Sequence, residues 1–276
     1  SRENNALRRI NVEPRPFKSW VAVAGALKAG VIDGAFLLSN FAMDQFEKGV
    51  DIRSVLVGHR NGSGITVKKD SSIKSPADLK GKKVGIPAKI STHNALLDKY
   101  LRKAGLSIKD VNVRVIAPPN MVKALKFNRI DAFIVAEPFC IKAEIDGFGK
   151  TIVLSKDILP NHICCVVVVR KEVLKANPSG VQEWVESLNR TGKFIDQDKA
   201  ENAGKAVARI AMDYMKFDER IITGGMMNPN DRITYSDLNP RIADYETILT
   251  VSRDAGIIGN IDLNEFVDDR FYKNIA

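Results

Sequence analysis

Short apolar runs alternate along the chain with segments in which apolar residues recur every three or four positions. The runs have the length of strands, and the recurring pattern is typical of a helix with one buried face. Strands are predicted at residues 11–14, 32–38, 54–59, 64–68, 83–87, 111–117, 130–136 and 164–170. Helices are predicted at about residues 2–9, 19–29, 41–48, 92–104, 121–127 and 138–146. This alternation predicts an α/β fold with parallel sheets.

Local signals mark several helix ends. Ser19 is expected to cap the helix that follows it, and Gly30 is expected to end that helix. Ser75 and Pro76 are expected to open a short helical turn. The chain after residue 170 is predicted to be largely helical, with helices that open at Asn177-Pro178, span residues 200–215, and open at Asn239-Pro240.

An internal repeat indicates two lobes built on one plan. Residues 26–36 resemble residues 124–134: each segment has a helix end, a tight turn with Gly or Asn, an Ile-Asp pair and a buried strand. In this register Ser39-Asn40-Phe41 aligns with Glu137-Pro138-Phe139, just past the carboxyl end of each strand. Ligands of open α/β sheets bind at that end, so both triplets are expected to line one cleft between the lobes. The alternative is that both are ordinary strand-to-helix loops.

The repeat also predicts the boundaries of the lobes and one missing element. Lobe 1 is expected from residues 1–80 and 165–276, and lobe 2 from residues 81–164, with two chain crossings between them. The second lobe opens with the predicted strand at 83–87, which has no counterpart in the first lobe. That counterpart would lie beside the strand at 32–38. We therefore expect this chain to lack the opening strand of its first lobe.

The charge balance favours an anionic ligand. The chain has 276 residues and a net charge of +9, and a basic protein attracts anions in general. The lysine pairs at 68–69 and 82–83 are scattered and lack aromatic partners, which argues against nucleic acid. No apolar run approaches the length of a membrane span, and no signal peptide is visible, so the chain is expected to be cytosolic or a processed mature form.

Three cysteines and three histidines are the candidate metal ligands. Cys140, Cys164 and Cys165 show no CxxC spacing, and His59, His93 and His162 lack the spacing of zinc ligands along the chain. We therefore expect buried thiols that behave as hydrophobic residues and no resident metal. No nucleophile–base pair stands out, which argues against an enzyme.

Several motifs together resemble the nitrate/sulfonate/bicarbonate (taurine-type) branch of ABC-transporter substrate-binding proteins. They are residues 26–35, 61–67 (NGSGITV), 78–85 (DLKGKKVG), 130–133 with 137–139, and 160–166 (PNHICCV). The resemblance implies a two-lobed type II periplasmic-binding-protein fold that closes on a ligand like a Venus flytrap. It also implies a monomer in the periplasm, or lipid-anchored outside the cell, that delivers a solute to a membrane permease.

Candidate ligand-binding residues follow from helix starts and turns. Ser91, Thr92 and His93 begin a helix whose free amides favour an anion, although Ser91 could simply cap it. Asn61, Gly62 and Ser63 could supply backbone donors, or form a plain tight turn. Further candidates, each with a structural alternative, are Ser39, Asn40, Asn120, which could instead cap its helix, and His162, which could be a hinge residue.

Glu137 complicates the anion hypothesis, because a carboxylate beside a bound anion costs free energy. A zwitterionic ligand, a divalent cation at Glu137, or a heterocycle with N–H donors would each resolve the conflict. A structural role for Glu137 is the fourth option.

Two other functions stay open at this point. One is an enzyme similar to the pyrimidine-precursor synthases of thiamine biosynthesis, which carry a cysteine-rich stretch near the position of Cys164 and Cys165. The other is the ligand-sensing domain of a regulator.

Overall fold

A computed structural model describes residues 7–275 of the chain. The strands in this range are β1 (Gly34–Leu38), β2 (Ile52–Asn61), β3 (Ser63–Lys68), β4 (Lys83–Ile86), β5 (Asn112–Val115), β6 (Ala132–Ala136), β7 (Gly149–Leu154), β8 (Ile163–Arg170) and β9 (Ile233–Thr234). The helices are α1 (Trp20–Lys28), α2 (Ser39–Glu47), α3 (Thr92–Arg102), α4 (Pro118–Lys126), α5 (Phe139–Ile145), α6 (Ser155–Ile158), α7 (Lys171–Ala176), α8 (Pro178–Asn202), α9 (Lys205–Met215), α10 (Glu219–Met227), α11 (Ile242–Asp254), α12 (Leu263–Phe266) and α13 (Arg270–Lys273).

The strands form two sheets, one in each lobe. The first sheet has the order β1-β8-β2-β9, and the second has the order β5-β4-β6-β3-β7. Strands β5, β4 and β6 are parallel, whereas every pairing in the first sheet is antiparallel. The α/β class is confirmed, but parallel pairing is limited to three strands. The reason is that β3 and β8 enter their sheets from the opposite lobe and therefore run against their neighbours.

The internal repeat is present in the structure as an offset of 98 residues. This offset superposes the bounds of α1 on those of α4, and the bounds of β1 on those of β6. The turns between them match as well, because Gly30 and Asn128 both have left-handed backbone angles, with φ of 70° and 59°. Glycine and asparagine tolerate this conformation best. The two lobes therefore share one helix–turn–strand unit, as predicted.

Strand β1 lies at the edge of its sheet. It pairs with β8, and within residues 7–275 no strand pairs with its other side. Its counterpart β6 has β3 on one side and β4 on the other. The predicted strand at 11–14 is irregular, because Pro14 and the nearby Pro16 remove backbone donors. Of the helix predicted at 2–9, residues 7–9 are not helical and the rest lies outside the described residues.

The chain crosses between the sheets earlier than expected. Strand β3, which the boundary at residue 80 assigned to the first lobe, pairs with β6 and β7 of the second sheet. The first crossing therefore lies at Gly62, and the chain returns between β7 and β8. Strand β7 was not predicted, since its apolar run is limited to the three residues 152–154 at its end.

The carboxyl-terminal helices bridge the lobes. Strand β9 joins the first sheet, while α10 packs against α5 of the second lobe. The helix predicted at 200–215 is split, because Ala203 and Gly204 adopt left-handed angles between α8 and α9. Among the described residues, no helix combines the length and apolar character needed to cross a bilayer.

Candidate functional site

The facing edges of the two sheets bring several of the predicted residues together. Ser39 follows β1, and Thr92 begins α3 after β4. Their hydroxyl oxygens lie 2.9 Å apart and form a buried hydrogen bond between the lobes. The Ser39 hydroxyl also lies 3.3 Å from the carbonyl oxygen of Ile163 at the start of β8. The two lobes are therefore in contact at the edge where the sequence predicted a cleft.

The remaining polar groups at this junction are buried as well. The Ser63 hydroxyl lies 3.0 Å from Nε2 of His93, and the Ser63 amide donates to the hydroxyl of Ser155. The side-chain nitrogen of Asn40 donates to the Ser252 hydroxyl at 2.7 Å, while its Oδ1 has no partner in the described part of the chain. Ser39, Asn40, Ser63, Thr92 and His93 are each at most 1% exposed. We call these five residues the junction cluster.

Other predicted residues have structural roles. The Ser91 hydroxyl accepts a hydrogen bond from the backbone amide of Asn94 and so caps α3. The amides of Asn61 and Gly62 already donate to the carbonyls of His162 and Arg232, at 2.9 and 2.8 Å. Since these donors are used within the protein, the turn is a plain crossing between strands and not an anion-binding concavity.

Asn120 is exposed on α4 and is not the cap of that helix. The helix begins at Pro118, with Ala117 at the cap position and no side-chain capping bond. The fixed backbone angle of proline suits the first helical position, so the helix begins two residues before Asn120. Asn120 is therefore not part of the buried junction cluster.

Glu137 forms a buried ion pair that the sequence analysis missed. Nε of Arg232 donates to Oε1 of Glu137 at 2.6 Å, and the Ile141 amide donates to Oε2 at 3.1 Å. Burial raises the pKa of the Glu137 carboxyl above its usual value, although Arg232 acts in the opposite direction. The positive charge beside Glu137, for which a divalent cation was one of four options, is thus supplied by a guanidinium. Its partner lies 95 residues away, so no local pattern could have indicated it.

Thiols and imidazoles gather beside the junction cluster. The ligand atoms of His59, Cys164 and Cys165 all lie within 4.8 Å of one another. We call these three residues the thiol–imidazole cluster. Its neighbour Ser63 has its hydroxyl 3.8 Å from Sγ of Cys164, and Ser63 contacts His93 as described above. The linear spacing of these residues shows nothing, because β2 and β8 bring them together as neighbouring strands.

The environment of this cluster perturbs its pKa values. The pKa of Cys164 is well below its ordinary value because of a hydrogen bond with Cys165, and His59 and His93 lower it further. That same hydrogen bond raises the pKa of Cys165. Burial lowers the pKa of His162 to about 4, and its Nδ1 lies 2.8 Å from the carbonyl oxygen of Leu159. His162 thus has a backbone partner, as a hinge residue would.

A groove of about 900 Å³ opens between the lobes beside the junction cluster. Its lining includes Phe41 and Asn94, which follow Asn40 and His93 directly in the chain. The other lining residues are Val21, Ala24, Gly25, Lys28, Asp44, Gln45, Lys48, Lys89, Ile90, Ile108, Lys109, Val113, Ala255, Gly256 and Ile257. Four lysines therefore face one aspartate, and the walls are largely apolar. Such a groove favours an anion with an apolar part.

Comparison with known proteins gives a consistent assignment. The model of the NMT1-like family matches residues 6–211. The nitrate/nitrite binding protein NrtA of Nostoc sp. PCC 7120 is 27% identical over 223 residues, which cover 73% of this chain and 50% of that protein. The chain spans half or less of the length of the first curated relatives that it matches.

Solved structures share the fold. The ligand-binding component of an ABC-type import system from Staphylococcus aureus, with zinc bound, is 27% identical with a TM-score of 0.87, covering 96% of this chain and 88% of that chain. The alkanesulfonate-binding protein SsuA from Xanthomonas axonopodis pv. citri, bound to MOPS, is 17% identical with a TM-score of 0.78, covering 92% and 86%. At that identity SsuA supports the fold alone, which is the expected two-lobed binding-protein fold.

Proposed function

Because the chain belongs to the NMT1-like family, we propose that it is the solute-binding component of an ABC importer and catalyses no reaction. The names of similar proteins support this proposal, since they describe a nitrate/nitrite binding protein and a ligand-binding component of an ABC-type import system. A binding component of this kind works outside the cell membrane, in the periplasm or held by a lipid anchor. Its partner is the permease in that membrane, and it acts as a monomer.

The observation that carries the proposal is the groove between the lobes. Its two walls come from different lobes, so a ligand held there would contact both lobes and stabilise their closure. Asn94 of the groove lies in the first turn of α3, and the start of a helix favours negative charge.

The proposed ligand is a small oxyanion or an organosulfonate-like anion. The lysines of the groove attract the anionic group, while Phe41, Ile90 and Ile257 offer a surface for an alkyl part. Glu137 does not oppose this anion, because Arg232 neutralises its carboxylate. A cationic group on the ligand is therefore not needed to balance Glu137.

A ligand panel tests the proposal directly. Thermal shift and titration calorimetry should be run with nitrate, bicarbonate, taurine, alkanesulfonates and pyrimidines. A ligand that binds the folded state stabilises it, by about 2.7 kcal/mol at a ligand concentration a hundred times the Kd. The melting temperature therefore rises. We expect a shift with at least one oxyanion or sulfonate. A shift with pyrimidines alone would contradict the anion proposal.

The groove can be tested with matched lysine substitutions. Lys89→Met removes a positive charge from the groove, and Lys123→Met removes one from the exposed face of α4. We expect Lys89→Met to weaken anion binding by roughly fivefold, which corresponds to about 1 kcal/mol. Lys123→Met should leave the affinity unchanged. Equal effects of the two substitutions would show that the charge acts at long range and not in the groove.

A further inference from the structure

We propose that His59, Cys164 and Cys165 form a binding site for a transition-metal ion of the zinc class. The proposal concerns a site beside the junction cluster and does not depend on which solute the groove binds. It rests on the geometry of the three ligand atoms, on unpartnered imidazole nitrogens around them, and on the chemistry of the donor set.

The geometry is close to that of a tetrahedral metal site. His59 lies near the end of β2, and both cysteines lie at the start of β8, where β2 and β8 are hydrogen-bonded neighbours. Their ligand atoms lie within 4.8 Å of one another. Zinc–sulfur bonds of about 2.3 Å and zinc–nitrogen bonds of about 2.0 Å place tetrahedral ligands roughly 3.5 to 3.8 Å apart. Binding such an ion would bring the ligand atoms closer together by about 1 Å at most.

The surrounding imidazoles have unmet bonding capacity. Nδ1 of His59, Nδ1 of His93 and Nε2 of His162 are buried and have no hydrogen-bond partner within residues 7–275. His93 and His162 are 1% and 4% exposed, so solvent reaches neither ring freely. Buried polar atoms without partners are uncommon in folded proteins and call for a functional explanation. A metal ion would bind to the lone pair on Nδ1 of His59.

The donor set selects the kind of metal. Thiolate and imidazole ligands favour zinc and other borderline or soft ions, whereas magnesium, calcium and manganese prefer oxygen ligands. Cys140 lies outside the cluster, and its Sγ is near the carbonyl oxygens of Gly64 and Val135.

Three protein ligands leave one tetrahedral position for another donor. Sites with three protein ligands keep the fourth position for water or a bound molecule. Here the cluster lies next to Ser63 and the junction cluster. A water molecule or an anion at the fourth position would therefore sit near the interface of the lobes.

The experiment is a metal titration of the reduced, metal-free protein. Zinc binding is measured by calorimetry, and cobalt serves as a spectroscopic probe because cobalt–thiolate bonds absorb in the near ultraviolet. The variants are Cys164→Ser, Cys165→Ser and His59→Asn, with Cys140→Ser as the matched control, since Cys140 is also a fully buried cysteine. Circular dichroism establishes that each variant is folded.

We expect one metal ion per chain, with thiolate absorption that Cys140→Ser retains. Loss of an outer-shell partner alone weakens metal binding about tenfold to a hundredfold, so removal of a ligand should exceed tenfold. Binding without thiolate absorption, or equal affinity in Cys164→Ser and Cys140→Ser, would overturn the proposal. If the serine variants do not fold, X-ray absorption of the zinc-loaded parent decides: sulfur ligands support the site and an all-oxygen shell refutes it.

Discussion

Glu137 and Arg232 form a buried ion pair although 95 residues separate them in the sequence. The Glu137 and Arg232 side chains are 5% and 3% exposed, so their ion pair is almost fully desolvated. A buried pair contributes little net stability compared with apolar residues, but removing one partner leaves an uncompensated charge. Glu137 is therefore a position where substitution changes folding before it changes binding.

The first prediction follows from this pair. Glu137→Ala should reduce the free energy of unfolding by about 3 to 5 kcal/mol, because it leaves the buried Arg232 charge without its partner carboxylate. Replacing both residues together, as Glu137→Leu with Arg232→Met, should cost less than the sum of the two single substitutions. Urea unfolding measures all three variants.

The control for this prediction is the partly exposed ion pair of Lys142 and Asp146 at the end of α5, the helix that begins just after Glu137. Lys142→Ala should cost at most about 0.5 kcal/mol, since solvent screens exposed pairs. If Glu137→Ala were as mild as Lys142→Ala, the Glu137 pair would have to be solvated in solution. The affinity of Glu137→Ala for a ligand is informative only after this folding cost has been measured.

At the scale of elements, the two copies of the repeat differ in their sheet partners. Strands β1 and β6 have equivalent positions, but β6 is an interior strand and β1 is an edge strand within the described part of the chain. The side chain of Phe36 on β1 is 48% exposed, whereas its counterpart Ile134 on β6 is fully buried. Edge strands leave alternate backbone groups unpaired.

Hydrogen exchange can compare these two strands within one molecule. In this chain, alternate amides of β1 should exchange much faster than the amides of β6, because only the amides that point toward β8 are bonded. Strand β6 is an internal control, since it has the same place in the repeat. Uniform slow exchange along β1 would contradict the prediction and would mean that another segment covers its free edge.

At the scale of the whole molecule, two adjacent crossings join the lobes. The amide of Asn61 in the first crossing donates to the carbonyl of His162 in the second, at 2.9 Å. Gly62 has a φ of 85°, and a Cβ atom there would lie 2.7 Å from Cδ1 of Ile233. Both the backbone angle and the close approach favour glycine at this crossing.

Gly62→Ala tests whether the crossing is tightly packed. The control is Gly49→Ala, since Gly49 has a φ of 82° and no atom within 4 Å of the added Cβ. Gly49→Ala should cost about 1 to 2 kcal/mol of unfolding free energy through the backbone angle alone. Gly62→Ala should cost at least about 1 kcal/mol more, because the methyl group also displaces Ile233. Equal costs in urea unfolding would show that Ile233 moves away freely.

The sequence by itself determined the features that arise from local patterns. Apolar periodicity predicted the α/β class, and the repeat predicted two lobes with matching units. Ser19 and Ser91 were placed at helix caps, where the structure has them, because a cap depends on residues three positions apart. The repeat also placed Ser39 at the edge that faces Thr92.

Only the tertiary structure decided which distant side chains meet. Arg232 neutralises Glu137 across 95 residues, and β2 and β8 bring His59 to Cys164 and Cys165. Neither contact leaves a spacing pattern in the chain, because each depends on strand order and register. The position of β3 in the second sheet was decided in the same way, since its apolar run would suit either sheet and only pairing with β6 and β7 selects one.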